Sequence, residues 1–316
     1  AVAAIAFTVV SWGDLGITGR SLVLGAVTVA ALGAPVPLLG RGLRSTAEAV
    51  AGLGLALTVL DAYALHRAAL STSASAGYAA VATAALAMGW MAYGFALPAL
   101  RVPPASAVAA GQLPLLLWAT ATDAGPHTFA AVLLVTAGAD AALALRPRMP
   151  LPSWQHAWTV RLVATVCGCA GGGFGLPLAG WLSWQADTPA DALRAAALLL
   201  LGAAVALGSA WLPHRLEGVG GASVRRREAS SAAALIAGLA VVAAAGGVVR
   251  VLLPGAWTVP GYLVCSVVVL AVAGALQAGL PGAVRCGLVR AGLAVQALCV
   301  LWACLLYTSP SPRDRT

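Results

Sequence analysis

The sequence predicts an all-α fold, a polytopic transmembrane helix bundle of about eleven helices. Three observations carry this. Apolar residues fill 61% of the 316 positions and charged residues only 9%, where a water-soluble domain runs at roughly 45–50% and about 25%. Apolar runs of spanning length, about 17–25 residues, recur along the whole chain, broken by short stretches that carry the Arg, Asp, Pro and Gly. No run alternates apolar and polar residues with period two, as a barrel strand would. Within hydrocarbon each backbone amide must then be paired inside its own segment, which leaves helices.

Taken in order, the first segment, 1–12, is expected to be incomplete, with Ala1 reading as a mid-helix position. Segments at 21–39 and 46–65 follow, parted by Arg41 and Arg44. The next two, 77–97 and 105–122, are parted by Arg101, and 128–145 ends at Arg146 and Arg148. Segments 158–182 and 192–212 flank Asp187 and Asp191. The longest connection, Pro213 to Glu228 with its RRR run, precedes 230–249; then come 257–279 and 286–303.

The arginines test this count independently, because translocating Arg is unfavourable and cytoplasmic loops collect it. All 18 basic residues are Arg. Alternate connections hold Arg41 and Arg44; Arg101; Arg146, Arg148 and Arg161; Arg215, Arg225, Arg226 and Arg227; Arg285 and Arg290. The intervening ones hold only Arg20, Arg67, Arg194 and Arg250. A wrong helix count would scramble that alternation. The expectation is a multi-pass protein of the cell membrane, with the loops of Arg41, Arg146 and Arg225 in the cytoplasm. Trp12, Trp118, Trp181, Trp184 and Trp257 then fall near outer ends, where amphipathic rings anchor in the headgroup layer. The net charge of +8 follows from this orientation; no basic patch is interleaved with stacking aromatics, so nucleic acid is not an expected partner and the lipid bilayer is.

Ionisable side chains inside a span are the strongest functional clue such a sequence offers, since a charge at the bilayer centre costs at least about 2.5–3.5 kcal/mol. Asp61, in LTVLDAYALHR, lies in the outer third of its segment near Tyr63 and His66. Asp140, in TAGADAALALR, lies toward the cytoplasmic end of another, and Arg161 sits at similar depth on the next. Asp61, Asp140 and Arg161 form the candidate polar site. Either they hold helices together, as an Asp140–Arg161 pair would, or the carboxylates serve as a proton or ion site. Glu48 follows Arg44 by four residues, which puts both on one helix face. Gln112, Gln277 and Gln296 read as hydrogen bonders between helices. The stretch CGCAGGGFGLPL, Cys167 to Leu178, reads as close helix packing through small residues, with a broken transporter-type helix as the alternative.

Searches for catalytic chemistry return nothing. The four histidines, His66, His127, His156 and His214, stand in separate connections, and Cys167 and Cys169 form CxC rather than the CxxC pairs of a zinc ribbon. No GxxxxGK[ST], HExxH or GxSxG occurs. No metal or cofactor is implied, and the sequence weighs against an enzyme.

AIAFTVVSWGDLGITGR (Ala4 to Arg20) and STAEAVAGLGLALTVLDAYALHR (Ser45 to Arg67) resemble a family of large, Ala-rich, many-helix membrane proteins of Streptomyces and related actinobacteria. The resemblance is clearest over roughly the first hundred residues. It implies no activity or catalytic residues, but further helices beyond both ends and a cytoplasmic region before the first. The tail CLLYTSPSPRD, Cys304 to Asp314, resembles the translation of a transposase sequencing adapter. The expected organisation is therefore a transmembrane region over 1–303, truncated at both ends, and an adapter-derived stretch over 304–316 that is excluded from fold reasoning. Two functions fit: a transporter-like or lipid-handling protein, or a non-catalytic membrane scaffold or envelope-associated protein.

Overall fold

The computed structural model describes residues 17–69, 75–145, 157–217, 224–253, 257–276 and 279–308. Among them are twelve helices and no strand: α1 (Ile17–Gly33), α2 (Pro35–Gly40), α3 (Arg44–Ala69), α4 (Ser75–Ala96), α5 (Val102–Ala110), α6 (Leu113–Ala121), α7 (Pro126–Leu145), α8 (Ala157–Gln185), α9 (Pro189–Glu217), α10 (Val224–Leu252), α11 (Thr258–Ala275) and α12 (Gly282–Thr308). They make ten spans long and apolar enough to cross a membrane, from Val23–Gly40 to Gly282–Leu305, with α1 and α2 sharing one span and α5 and α6 another. Each overlaps one of the ten segments expected between residues 21 and 303. The protein is a multi-pass bundle of helices. The expected segment 1–12 with Trp12, the connection of Arg146 and Arg148, Gln277, and the tail beyond Thr308 lie outside the described residues.

The helices fall into two compact units. The first holds α1–α6 and the opening turns of α8, up to Ala164; the second holds α7, the rest of α8 and α9–α12. In the first unit α3 packs on α1 and α2, and α4 packs on both α5 and α6. Ala47, Ala51 and Leu100 are buried there against Leu38, Leu39, Tyr93 and Leu97. In the second, α10 packs between α9 and α12, and its core is mostly alanine: Ala130, Ala179, Ala195, Ala203, Ala237, Ala240 and Ala244, with Leu182 and Leu199. Alanine suits this setting because lipid tails are as apolar as leucine, so helices associate through close backbone approach rather than by burying large side chains. Many large side chains face outward instead; Val29 and Phe174 are 72% and 73% exposed.

Local chemistry sets the ends of these elements. Two spans stop in the same six-residue hydrogen-bond pattern, which returns the last helical carbonyls to amides of the following turn. After α2 the Leu43 and Gly42 amides donate to Leu38 and Leu39 (3.0 Å each), with Gly42 at φ 76°. After α6 the Ala124 and Asp123 amides donate to Ala119 (3.0 Å) and Thr120 (3.4 Å), with Asp123 at φ 48°. At the start of α9 the Thr188 hydroxyl accepts the Asp191 amide at 3.2 Å and donates to the Asp191 carboxylate at 2.7 Å, ahead of Pro189 in the first turn. That satisfies an amide the helix leaves open.

Candidate functional site

The CGCAGGGFGLPL stretch lies within one continuous helix, α8, with Pro177 inside it. Gly168, Gly171 and Gly175 of this stretch face α7: a Cβ on Gly171 would stand 3.0 Å from the Leu133 carbonyl, and one on Gly175 would stand 3.0 Å from Leu134. This is close packing, and it excludes a break at this position. The breaks fall elsewhere, in the first unit. The hydrogen-bond ladder of the span Val102–Ala121 is interrupted at Gly111 and Gln112, between α5 and α6, though both residues keep right-handed helical dihedrals and the Gln112 amide shifts to the Ala109 carbonyl at 3.3 Å. Pro114 follows at once and has no N–H to return to the Ala110 carbonyl. Gln112 thus stands midway along a span, and its Nε2 donates to the Val108 carbonyl at 3.2 Å. The span Val23–Gly40 is interrupted at Ala34, ahead of Pro35 and Pro37. There the Tyr93 hydroxyl of α4 donates to the Leu32 carbonyl at 2.7 Å, a neighbouring helix supplying a donor beside the proline-bearing turn.

Asp61 is half-buried on α3. Beside it, Tyr78 of α4 donates its hydroxyl to the Ala62 carbonyl at 2.6 Å and stacks on His66 with ring centroids 4.6 Å apart. One helical turn before Asp61, the Thr58 hydroxyl accepts the Trp90 indole N–H at 3.1 Å. Polar groups therefore line the α3–α4 seam from Thr58 to His66. Asp140 is on α7 in the second unit and only 4% exposed; the absent side chain of Gly168 leaves room for it, since a Cβ there would stand 3.2 Å from the Asp140 Cβ. Arg161 is half-buried in the opening turns of α8, within the first unit. The structure thus groups Asp61 and Arg161 with the first unit and Asp140 with the second.

Two charged residues have roles that helical spacing did not show. Glu48 shares a helix face with Arg44, yet its carboxylate accepts the backbone amides of Arg101 (2.6 Å, Oε1) and Val102 (3.1 Å, Oε2). It caps the N-terminus of α5 from another helix, where a negative charge meets open N–H groups and the positive end of the helix dipole. Arg250, near the end of α10, caps the opposite kind of terminus. Its Nη2 donates to the Ser183 (3.2 Å) and Ala186 (2.7 Å) carbonyls at the C-terminal end of α8, and its guanidinium lies 5.5 Å from the centre of the Trp184 ring. Gly247, one turn back, stands directly against the Ser183 hydroxyl, where any Cβ would overlap it.

The arginines also segregate within each unit. Arg225, Arg226 and Arg227 open α10, and Arg290 of α12 reaches Ser231 of α10 at 3.4 Å, so the N-terminal parts of these two helices lie together; Arg250 is at the far end of α10. Arg44 and Arg101 are joined at one end of the first unit through Glu48, while Arg67 is at the other end of α3. Among the described residues no three His, Cys, Asp or Glu side chains converge as a metal site. No family model, no curated protein and no solved structure matches the chain.

Proposed function

We propose that the chain is a transporter-like protein of the cell membrane, oriented with the connections of Arg41, Arg101, Arg146 and Arg225 in the cytoplasm. One observation carries the functional reading: the break of the α5–α6 span at its midpoint, Gly111–Gln112, ahead of Pro114. The backbone keeps helical dihedrals there, but the proline leaves the Ala110 carbonyl without its helical donor beside a polar side chain, and irregular helical backbone within spans is where transporters place substrate and ion sites. Two features support it. A second interrupted span, α1–α2, lies in the same unit, and intramembrane carboxylates are present at Asp61 and Asp140. The Arg bias supports the orientation.

The test is flux through the purified full chain in liposomes, read both as proton movement with an entrapped pH dye and as transbilayer movement of a fluorescent phospholipid. The expected outcome is a flux that Gln112→Leu and Asp140→Asn reduce at least about tenfold, as the loss of one ionic or polar contact does, with insertion unchanged. A chain that inserts normally and moves neither species overturns the transport reading. The small-residue seams of the second unit favour a second reading, a non-catalytic scaffold. It predicts that Asp140→Asn lowers thermal stability in detergent and leaves liposome fluxes at the protein-free level.

A further inference from the structure

A cleft of about 470 Å³ opens in the first unit, lined by Arg44, Ser45, Glu48, Ala99, Arg101, Val102 and Thr159. Three features of it point to one chemistry. First, its lining comes from the ends of three spans: Arg44 opens the span Arg44–Arg67, Val102 opens Val102–Ala121, and Thr159 is the second residue of Trp158–Gln185. The cleft is therefore at the depth of the headgroup layer. Second, Arg44 and Arg101 are both exposed. Third, the single carboxylate in the cleft, Glu48, is hydrogen-bonded to the Arg101 and Val102 amides at the terminus of α5, where the helix dipole offsets part of its charge. Two arginines against one glutamate thus give the lining an excess of positive charge, and the carboxylate is hydrogen-bonded to backbone amides rather than to either guanidinium.

We propose that this cleft binds a phosphate group, held by Arg44 and Arg101, with the Ser45 and Thr159 hydroxyls on its wall and the apolar Ala99 and Val102 beside it. Guanidinium groups match phosphate oxygens by paired, charge-assisted hydrogen bonds. The interfacial depth and the apolar wall fit the phosphate of an anionic phospholipid, and basic clefts between spans at this level take such headgroups. Glu48 acts as a positioning residue: by holding the Arg101 amide it sets where the Arg101 side chain leaves the backbone. The site stands apart from the α5–α6 break and does not depend on transport.

The experiment is lipid retention by the full chain, read by native mass spectrometry from micelles doped with equal amounts of phosphatidylglycerol and phosphatidylcholine, and repeated with added inorganic phosphate. Phosphatidylglycerol is expected to be retained about tenfold over phosphatidylcholine. Arg44→Gln with Arg101→Gln should lose that preference, while Arg44→Lys with Arg101→Lys keeps part of it, since lysine retains charge without the paired geometry. Arg67→Gln, the same charge change at the far end of α3, should leave it intact. If inorganic phosphate displaces the lipid at millimolar concentration and itself binds in an arginine-dependent way, the site stands and its ligand is a soluble phosphate. Equal retention of the two lipids, or a preference that survives the double glutamine variant, overturns the proposal. Because Arg44 and Arg101 are exposed, the variants are expected to fold; should the glutamine pair fail to insert, salt titration of the unaltered chain decides, since a guanidinium–phosphate site weakens as ionic strength rises and a salt-independent preference overturns it.

Discussion

Single side chains in this protein do much of their work on backbone. Arg250 donates to two carbonyls at the end of α8, 67 and 64 residues earlier in the chain. Replacing it with Met leaves those carbonyls without their charged donor inside an apolar surround, so Arg250→Met is expected to cost about 1.5–3 kcal/mol. Thermal or detergent unfolding of the purified protein measures this. Arg250→Lys should recover part of the loss, because its ammonium also carries donors for both carbonyls but lacks the planar group that lies by the Trp184 ring; an unchanged melting temperature in the Met variant would refute the cap. In the sequence Arg250 was visible only as one of four arginines in sparsely basic connections. Likewise Glu48 showed its helix face but not its partner, since only folding brings the α5 amides to it. Asp140, by contrast, was legible as an unusual residue, and its burial agrees with that.

At the scale of elements, the decisive positions are those where backbones touch. Gly287 of α12 lies directly against the Ser231 carbonyl of α10, and any Cβ would overlap that oxygen and crowd Ala234. Gly287→Val should therefore push α12 off α10, costing about 1–3 kcal/mol or more by overpacking. A cysteine pair engineered across this seam would lose cross-linking efficiency in the same variant. The turn between α2 and α3 offers a contrasting case, because a side chain at Gly42 would meet nothing within 4 Å. What it would meet is its own backbone: at φ 76° an L-residue is strained by about 1–2 kcal/mol. Gly42→Ala is expected to lower stability by that amount, and Gly42→Asn by less, since Asn tolerates the left-handed region; equal losses for the two would contradict this cause. Helix existence was readable from apolar runs alone, and so was the small-residue packing of α8. The break at Gly111–Gln112 was not singled out, although GQLP carries a glycine and a proline three residues apart, because CGCAGGGFGLPL has the denser signal and proved continuous. Proline alone does not decide a break, since Pro177 sits inside continuous α8 while Pro35 and Pro114 stand where the ladder is interrupted.

For the whole molecule, the arginines assigned to alternate connections fall at common ends of the packed helices, as in the second unit. The N-terminal parts of α10 and α12 meet, and Arg225, Arg226, Arg227, Arg285 and Arg290 all belong to them. A fluorescent protein fused after Arg227 is expected to be bright, and alkaline phosphatase fused there inactive. An active phosphatase at that point would invert the orientation and place the Arg44–Arg101 cleft on the outer side.

By itself the sequence determined the class, the ten spans now seen, and the residues exceptional enough to probe. It could do so because hydrocarbon imposes one local rule, that each span pair its own backbone and exclude charge. Only the tertiary structure decided which spans break, that the alanine- and glycine-rich faces meet, and that Glu48 and Arg250 cap helices far away in the chain. Those outcomes depend on contacts between segments tens of residues apart, and in a chain so rich in Ala, Leu, Val and Gly many pairings share nearly the same composition, so the choice among them is made by shape at backbone distance.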